Sequence, residues 1–575
     1  MQLHLPAAIR LSLLAAAVWL GHAADAIGAE AAREVCPRPP AGGMVEEPED
    51  LRSENGVLKI DLTVRNEKQP DGTVRFCYLL ADGAQAPTLR LKPGDLLVLR
   101  LKNELVDTDN TQTTHVHGAH PQPGSDPCKS GVMSLTSANL HFHGLSIPPV
   151  CHQDEVFKTS VQPADPPFEY RFRIPENEPP GLYWYHPHIH GFSSKQVLGG
   201  ASGALIVEGI ERATPEVAGL PERVLVIRDQ DLVNPDAEPS TSEPATQALI
   251  DRDGDAANNG TGWGKPAKDL SVNYTPVPYP EYPRATILMK PGERQLWRVL
   301  NASSVTYLNL TALFKRGAHF RADWLGVVAI DGVPLSASGS RGHAVAWRDS
   351  IVVSPGSRVE FIIAGPPMGV AAMLVTKTVD TGEAGENDPN RALVNIVAAA
   401  EAPSPHSVLP AASQLLAAPL PWIGAVNPVR VRKLYFSEDP TDPKNPSAAK
   451  FYLTVDGQTP AAFDPASTEP NIVVRQGDVE DWVIENRSNE LHAFHIHQIH
   501  FQVRDWVGLT VNEPFVRDTV NVPFFDKAMK GYPSLTLRMD FRDPNSVGTF
   551  VFHCHLLDHE DGGMMGLIRV EPAAK

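Results

Sequence analysis

The sequence predicts an all-β chain built from sandwich domains, and three observations point there. The first is punctuation: 53 prolines and 43 glycines are spread among many short runs of β-type residues, which suits strands joined by long loops. The second is a phrase that recurs three times, LKPGDLLVLRLKNEL from Leu91, MKPGERQLWRVLNAS from Met289 and VRQGDVEDWVIENRS from Val474. Each has a glycine turn, an alternating run and a closing Asn, so each reads as turn, strand and loop. The third is a motif shared by only two of those regions. GLYWYHPH at 181–188 matches GTFVFHCH at 548–555, and GALIVEG from Gly203 parallels GLIRVEP from Gly566. Three related β domains explain all three observations economically.

The domains divide as 36–212, 213–400 and 401–575, with AEAPSPHSVLPAASQLLAAPLPW at 400–422 as a linker before the last. Ahead of them, residues 1–24 carry Arg10, the apolar run LSLLAAAVWL and the small residues of GHAADA. That is the pattern of a secretory signal peptide, too short to span a bilayer comfortably and without a twin arginine, so the chain is expected to be secreted or periplasmic. No later stretch suggests a membrane span in the mature chain. The formal net charge of -18 argues against a protein that clamps nucleic acid or anionic lipid and leaves small neutral or cationic partners open. The sequence says nothing about oligomeric state.

Five cysteines occur, Cys36, Cys77, Cys128, Cys151 and Cys554. In an oxidising compartment four make two disulfides with three possible pairings, of which Cys36 with Cys77 and Cys128 with Cys151 is favoured. Cys554 is then left over as a thiol that needs a role.

Four His-x-His pairs supply one. His141 and His143, His186 and His188, His495 and His497, and His553 and His555 each place two imidazoles on one strand face. A single such pair is usually an ordinary polar strand face. Four pairs inside duplicated strand motifs are a metal-binding pattern, since neutral imidazole is the commonest protein metal ligand. By parity Cys554 faces away from His553 and His555, and His492 faces away from His495 and His497. One side of these strands therefore holds a histidine cluster, and the other holds Cys554 and His492. His559 and Met564 follow Cys554 closely, and two imidazoles, a thiolate and a thioether are the ligands of a blue-copper site. Zinc is disfavoured because no Cys-x-x-Cys spacing accompanies them.

The segments HFHG, WYHPH, HAFHIH and HCHLLDHEDGGMM are similar to the four copper motifs of the three-domain, laccase-like multicopper oxidases, and they occur in the family's order. The resemblance implies three cupredoxin-like Greek-key β-sandwich domains and four copper ions. It implies a type 1 copper on His492, Cys554, His559 and axial Met564, and a type 2 copper on His141 and His495. A type 3 pair would be shared by His143, His186, His188, His497, His553 and His555. Domain 1 has Pro187 where domain 3 has Cys554, so it lacks a second blue site, and domain 2 has no ligands.

The same resemblance implies that a small-molecule or metal-ion donor gives single electrons near His492 or His559 at the surface. They pass through Cys554 to its neighbours His553 and His555, and dioxygen is reduced to water at the cluster. Asp154, eleven residues after His143, and Glu560, beside His559, stand where the family keeps acids, and both are expected to deliver protons. The expected activity is oxidation of phenolic or aromatic donors. A metallo-oxidase for Cu(I), Fe(II) or Mn(II) is the alternative, and a non-enzymatic copper-binding protein a remote one. The ten methionines form no run, which argues mildly against Cu(I).

Departures from the family pattern are Ala493 after His492, and Gln498-Ile499. His115, His117 and His120 in THVHGAH imitate a copper pair but lie in an apparent inserted loop. His190 and His500 flank ligands and are expected to support them or face solvent. DRDGDAANNG from Asp251 resembles a calcium loop, but Ala256 replaces its turn glycine.

Overall fold

The computed structural model describes residues 34–108, 126–129, 133–240, 249–250, 254–336, 344–408, 421–439 and 449–574. The expected leader, His115, His117, His120 and the start of the 251 loop lie outside them.

The thrice-repeated phrase folds the same way three times. Gly94, Gly292 and Gly477 turn with φ of +87°, +71° and +103°, a region that costs glycine little. Each turn opens a buried strand: Leu96–Asn103, Arg294–Asn301 and Val479–Asn486. The closing asparagine of each strand explains why the phrase ends as it does. Asn103 donates from its amide to the carbonyls of Thr136 (2.8 Å) and Val161 (2.7 Å). Asn301 does so to Thr306 (3.0 Å) and Val353 (2.9 Å), and Asn486 to Glu490 (2.7 Å) and Val522 (3.2 Å). Each thus ties the exit loop to a neighbouring segment and satisfies carbonyls that burial would otherwise strand.

The chain is all-β, with three cupredoxin-like sandwiches. In the first, a sheet ordered Val74–Leu79, Val57–Lys68, Leu96–Asn103 and Phe168–Arg173 accompanies a five-stranded sheet that ends in Gly181–His186 and His141–His143. Leu62, Leu99, Phe142, Phe172 and Tyr185 belong to its core. The middle sandwich encloses Leu310, Trp297 and Phe361. The last encloses Trp482, Phe494 and Phe552, and its five-stranded sheet carries His492–Ile496 beside Gly548–Cys554. The sheets are mixed. In each sandwich the repeat strand lies parallel to an earlier one, as Val57–Lys68 does to Leu96–Asn103, Glu222–Gln230 to Arg294–Asn301, and Arg430–Asp439 to Val479–Asn486. Parallel neighbours require a crossover, and here the chain visits the opposite sheet between them, as a Greek-key path does.

Cys36–Cys77 and Cys128–Cys151 are disulfide-bonded, the pairing that was favoured, and Cys554 is a buried free thiol. Among the described residues no helix is long and apolar enough to cross a membrane.

Glu178 fastens the two loops that flank the first pair of histidine strands. Its carboxylate accepts from the Ser146 amide at 3.0 Å, and burial pushes its pKa up to about 8 against an ordinary 4.5. Below pH 4.5 the carboxyl is protonated in both folded and unfolded chains. Above that the unfolded chain ionises while the folded one keeps its proton, so stability falls, by at most about 1.4 kcal/mol per pH unit, until the folded group also ionises. Glu178→Gln should therefore flatten the decline in melting temperature between about pH 5 and pH 8 and melt above the parent at the alkaline end. Parallel curves for the two proteins would show that Glu178 ionises freely in the fold.

Candidate metal centre

Strand pairing brings the histidines together two sheets at a time. In the first sandwich His141 lies opposite His186 and His143 opposite Trp184. In the last, His495 lies opposite His553 and Phe494 opposite Cys554. The two sheets then meet ring to ring: His141 stacks on His497 with centroids 3.8 Å apart, and His143 on His495 at 3.9 Å. His188 closes a side, 4.9 Å from His497 and 5.2 Å from His553, and His555 lies 5.1 Å from His143. All eight are buried.

Burial and mutual proximity hold seven of these rings neutral. Desolvation, then the charge of neighbouring histidines, depresses His143, His186, His188, His495, His497 and His555 well below the usual range. Burial takes His553 down to about 3. Neutral imidazole is the metal-binding form.

The hydrogen bonds divide the nitrogens into two classes. His141 Nδ1 meets Asp154 at 3.0 Å, His186 Nδ1 the Pro187 carbonyl at 2.9 Å, His495 Nδ1 the Asp518 carbonyl at 2.8 Å, and His143 Nε2 the Asp518 carboxylate at 3.2 Å. The opposite nitrogens, His141 Nε2, His186 Nε2, His495 Nε2 and His143 Nδ1, are buried without a hydrogen bond, as are His497 Nδ1 and both nitrogens of His555. One nitrogen oriented by the protein and the other left open is the arrangement of metal-bound histidine. The triads His141, His143, His186; His141, His495, His497; and His188, His497, His553 each gather ligand atoms within 4.8 Å.

Across the strand from this cluster lies a second centre. Cys554 Sγ is 3.6 Å from His492 Nδ1, which is 3.3 Å from His559 Nδ1. Met564 is fully buried, and its carbonyl accepts from the Cys554 amide at 3.1 Å. Burial pushes the Cys554 thiol far up, so a thiolate forms there only with a cation to stabilise it. Two imidazoles, a thiol and a thioether side chain fit copper rather than a harder ion.

The centre is not at the surface as expected. His492 and His559 are 0 % and 3 % exposed, because Phe451 stacks on His559 with centroids 4.2 Å apart and Phe436 leans on His492. Their outer nitrogens meet carboxylates: His492 Nε2 lies 3.3 Å from Glu438, and His559 Nε2 3.4 Å from Glu490.

Asp154 and Glu560 are both buried rather than in solvated loops. Asp154 also accepts from the Phe142 amide at 2.9 Å and from the Gln498 side chain at 2.5 Å, so the Gln498 departure reaches the shell around His141. Glu560 lies 3.6 Å from His188 Nδ1 and 3.3 Å from His553 Nδ1. His190 is buried, its ring against Phe463, and His500 lies 3.9 Å from Asp518.

Sequence reasoning missed Asp518, Arg358, Glu438 and Glu490. Arg358, from the middle sandwich, grips Asp518 through two bonds of 2.9 and 2.7 Å, and Asp518 meets His143 and His495. Gly144 makes room for this grip: at φ +91°, any Cβ it carried would strike Arg358 Nη2 and lie 2.8 Å from Asp518 Oδ2. The available signal was a charged residue inside otherwise apolar strand text, as in RDTVNV and SRVEFII.

Two family models described as multicopper oxidase match residues 134–212 and 439–574, the segments that carry these histidines and Cys554. The chain belongs to the multicopper oxidase family. A multicopper oxidase of Staphylococcus haemolyticus is 24% identical over 490 residues, covering 84% of this chain and 81% of its own. Multicopper oxidase LPR1 homolog 1 of Oryza sativa subsp. japonica is 24% identical, covering 77% and 76%. Among solved structures, a Campylobacter jejuni multicopper oxidase described as a metallo-oxidase aligns with a TM-score of 0.60 at 22% identity, covering 93% of this chain and 96% of that one. Multicopper oxidases are copper oxidoreductases that use dioxygen, so this chain is an enzyme of that class.

Asp518 orients two rings of the cluster and none of the Cys554 centre. Asp518→Asn should weaken copper retention by the cluster about 10- to 100-fold while the thiolate-to-copper blue band stays, read as copper per chain after graded chelator dialysis. Equal loss from both centres would place Asp518 in global stability instead.

Proposed function

We propose that this multicopper oxidase is an exported metallo-oxidase that draws single electrons from a reduced cation, Fe(II) or Mn(II), and delivers four of them to dioxygen. The observation that carries the reading is the pair of carboxylates, Glu438 and Glu490, at the outer nitrogens of His492 and His559. Carboxylates suit hard cations, and both stand where an electron would enter. Phenol oxidation, the activity first expected, remains the second reading. It draws support from relatives named laccase, such as Laccase-3 of Thanatephorus cucumeris, 22% identical over 311 residues. An outer-sphere aromatic donor is served best by an exposed imidazole edge, and here both edges face acids.

In this reading four copper ions are held as the motifs suggest. His492, Cys554, His559 and Met564 take the mononuclear ion. His141 and His495 take the type 2 ion, and His143, His186, His188, His497, His553 and His555 the type 3 pair. Bound copper supplies one-electron redox chemistry and the site of dioxygen reduction. The chain's own residues do the rest. Cys554 is peptide-bonded to His553 and His555, which gives a short covalent path from one face of the strand to the other. Glu560, touching His188 and His553, and Asp154, touching His141, stand close enough to the cluster to hold protons for the product waters. The Phe142 amide and Gln498 each hold one oxygen of Asp154, so that both oxygens face His141 Nδ1, at 3.0 and 3.1 Å. Two disulfides favour an oxidising compartment, and domain boundaries near residues 212 and 400 belong to the same proposal.

Glu438→Ala and Glu490→Ala should each lower kcat/KM for Fe(II) by about tenfold or more and leave oxidation of an electron-rich phenol unchanged or faster. Parallel losses for both donors, or none for Fe(II), would overturn the metallo-oxidase reading in favour of the phenolic one. Cys554→Ser should abolish the blue colour and oxidation of every donor while the eight histidines still bind copper. Donor oxidation surviving in that variant would sink the assignment of the centre.

A further inference from the structure

Away from both copper centres, where the first and middle sandwiches adjoin, lies a cavity of about 480 Å³, well within the size of small-molecule sites. Its lining includes Arg228, 3 % exposed, on the strand Glu222–Gln230. Arg228 Nε donates to Ser202 Oγ at 2.8 Å, and Nη2 to the Ser202 carbonyl at 2.7 Å. Its guanidinium lies 3.9 Å from the centroid of Tyr274, and Arg38 covers the same ring at 4.2 Å. Tyr274 is fixed in turn by donating its hydroxyl to the Gly200 carbonyl at 2.9 Å.

A guanidinium has five donors, and Ser202 takes two. Among the described residues Nη1 has no hydrogen bond, and no carboxylate pairs with Arg228. The three acids that line the cavity are engaged elsewhere. Asp71 accepts from Thr73 N and Oγ1 at 3.0 and 2.7 Å, Asp229 from the amides of Ser304, Val305 and Thr306 at 2.7, 3.0 and 3.2 Å, and Asp231 meets Lys268 at 3.3 Å. Lys195, Arg75 and Arg38 add positive charge to the same walls. A buried cation without a counter-charge is costly, and burial accordingly lowers the pKa of Arg228.

We propose that this cavity binds a small organic carboxylate, paired with Arg228 Nη1 and laid against the apolar wall of Phe76, Leu135, Leu198 and Pro276. Among the described residues Arg228 is the buried guanidinium of this wall without a carboxylate partner, and a planar carboxylate matches its fork and supplies one counter-charge. The volume far exceeds one inorganic oxyanion, and the apolar wall calls for a body attached to the charge. None of the twelve expected copper ligands lines the cavity.

Titration calorimetry on the copper-loaded full chain, with benzoate, neutral benzamide and inorganic phosphate as probes, tests this. Benzoate should bind once per chain, with benzamide and phosphate each at least about tenfold weaker. Arg228→Gln should weaken benzoate at least tenfold and leave benzamide unchanged. Leu198→Trp, which fills the cavity and keeps the guanidinium, should remove benzoate binding with oxygen consumption intact, and it carries the test if Arg228→Gln does not fold. The proposal is overturned by equal affinity for benzoate and benzamide, by phosphate binding as tightly as benzoate, or by benzoate binding that survives Leu198→Trp. No benzoate uptake up to about 10 mM would equally overturn it, leaving Arg228 as a structural pin for Ser202.

Discussion

Everything about this molecule turns on gathering eight imidazoles into one buried volume. Each protonation there would place a cation among close neighbours in a poor solvent, and seven of the rings respond by giving up basicity. What remains is a set of open lone pairs, several of them aimed by a hydrogen bond on the far side of the ring, as in His141, His143, His186 and His495. Such a set is unsatisfied without metal, and the surrounding fold exists to hold it in that condition. Stability and function are therefore in tension at this spot, and the cores on either side, with Phe142 and Tyr185 in one and Phe494 and Phe552 in the other, must offset the cost.

The middle sandwich contributes none of the twelve expected ligands, yet it is not a spacer. Arg358 reaches from it to Asp518, and beyond Arg358 stands Asp331, whose buried carboxyl is held up in pKa by burial and by Asp518 despite the guanidinium between them. A second charged seam runs from Arg90 through Glu222 to Arg298 and Glu360, and Glu360 accepts from the amide of Leu182 in the strand that carries His186. Buried ions contribute little net stability, but an unpaired one is expensive. Their value here is register: the strand that bears His186, and Asp518 beside His143 and His495, are fixed against a neighbour that cannot shift without stranding a charge.

Much of this was legible in the chain itself. The glycine turns and alternating runs located the three repeat strands, and the parity of HCH and HAFHIH separated the two centres before any coordinate was known, because side-chain alternation along a strand is a local rule. The closing asparagines were visible as a pattern, but distant partners such as Val161, Val353 and Val522 are brought near only by the fold. Asp518, Arg358, Glu438 and Glu490 were invisible for the same reason: each gains its meaning from a contact with a residue on another strand, often in another sandwich. The surface position expected for His492 and His559 failed because Phe451 and Phe436 approach from strands whose text carries no motif.

The cluster joins strands near residue 141 to strands near residue 553, and His143 stacks on a ring more than three hundred positions along the chain. Closure over so long a loop is entropically slow. During synthesis the first sandwich must wait with half a metal site open, its histidines aimed at nothing, until nearly the last strand, Gly548–Cys554, has formed. Metal uptake at this centre thus reports that strands from distant parts of the chain have met: a chain stopped before Gly548–Cys554 lacks His553 and His555.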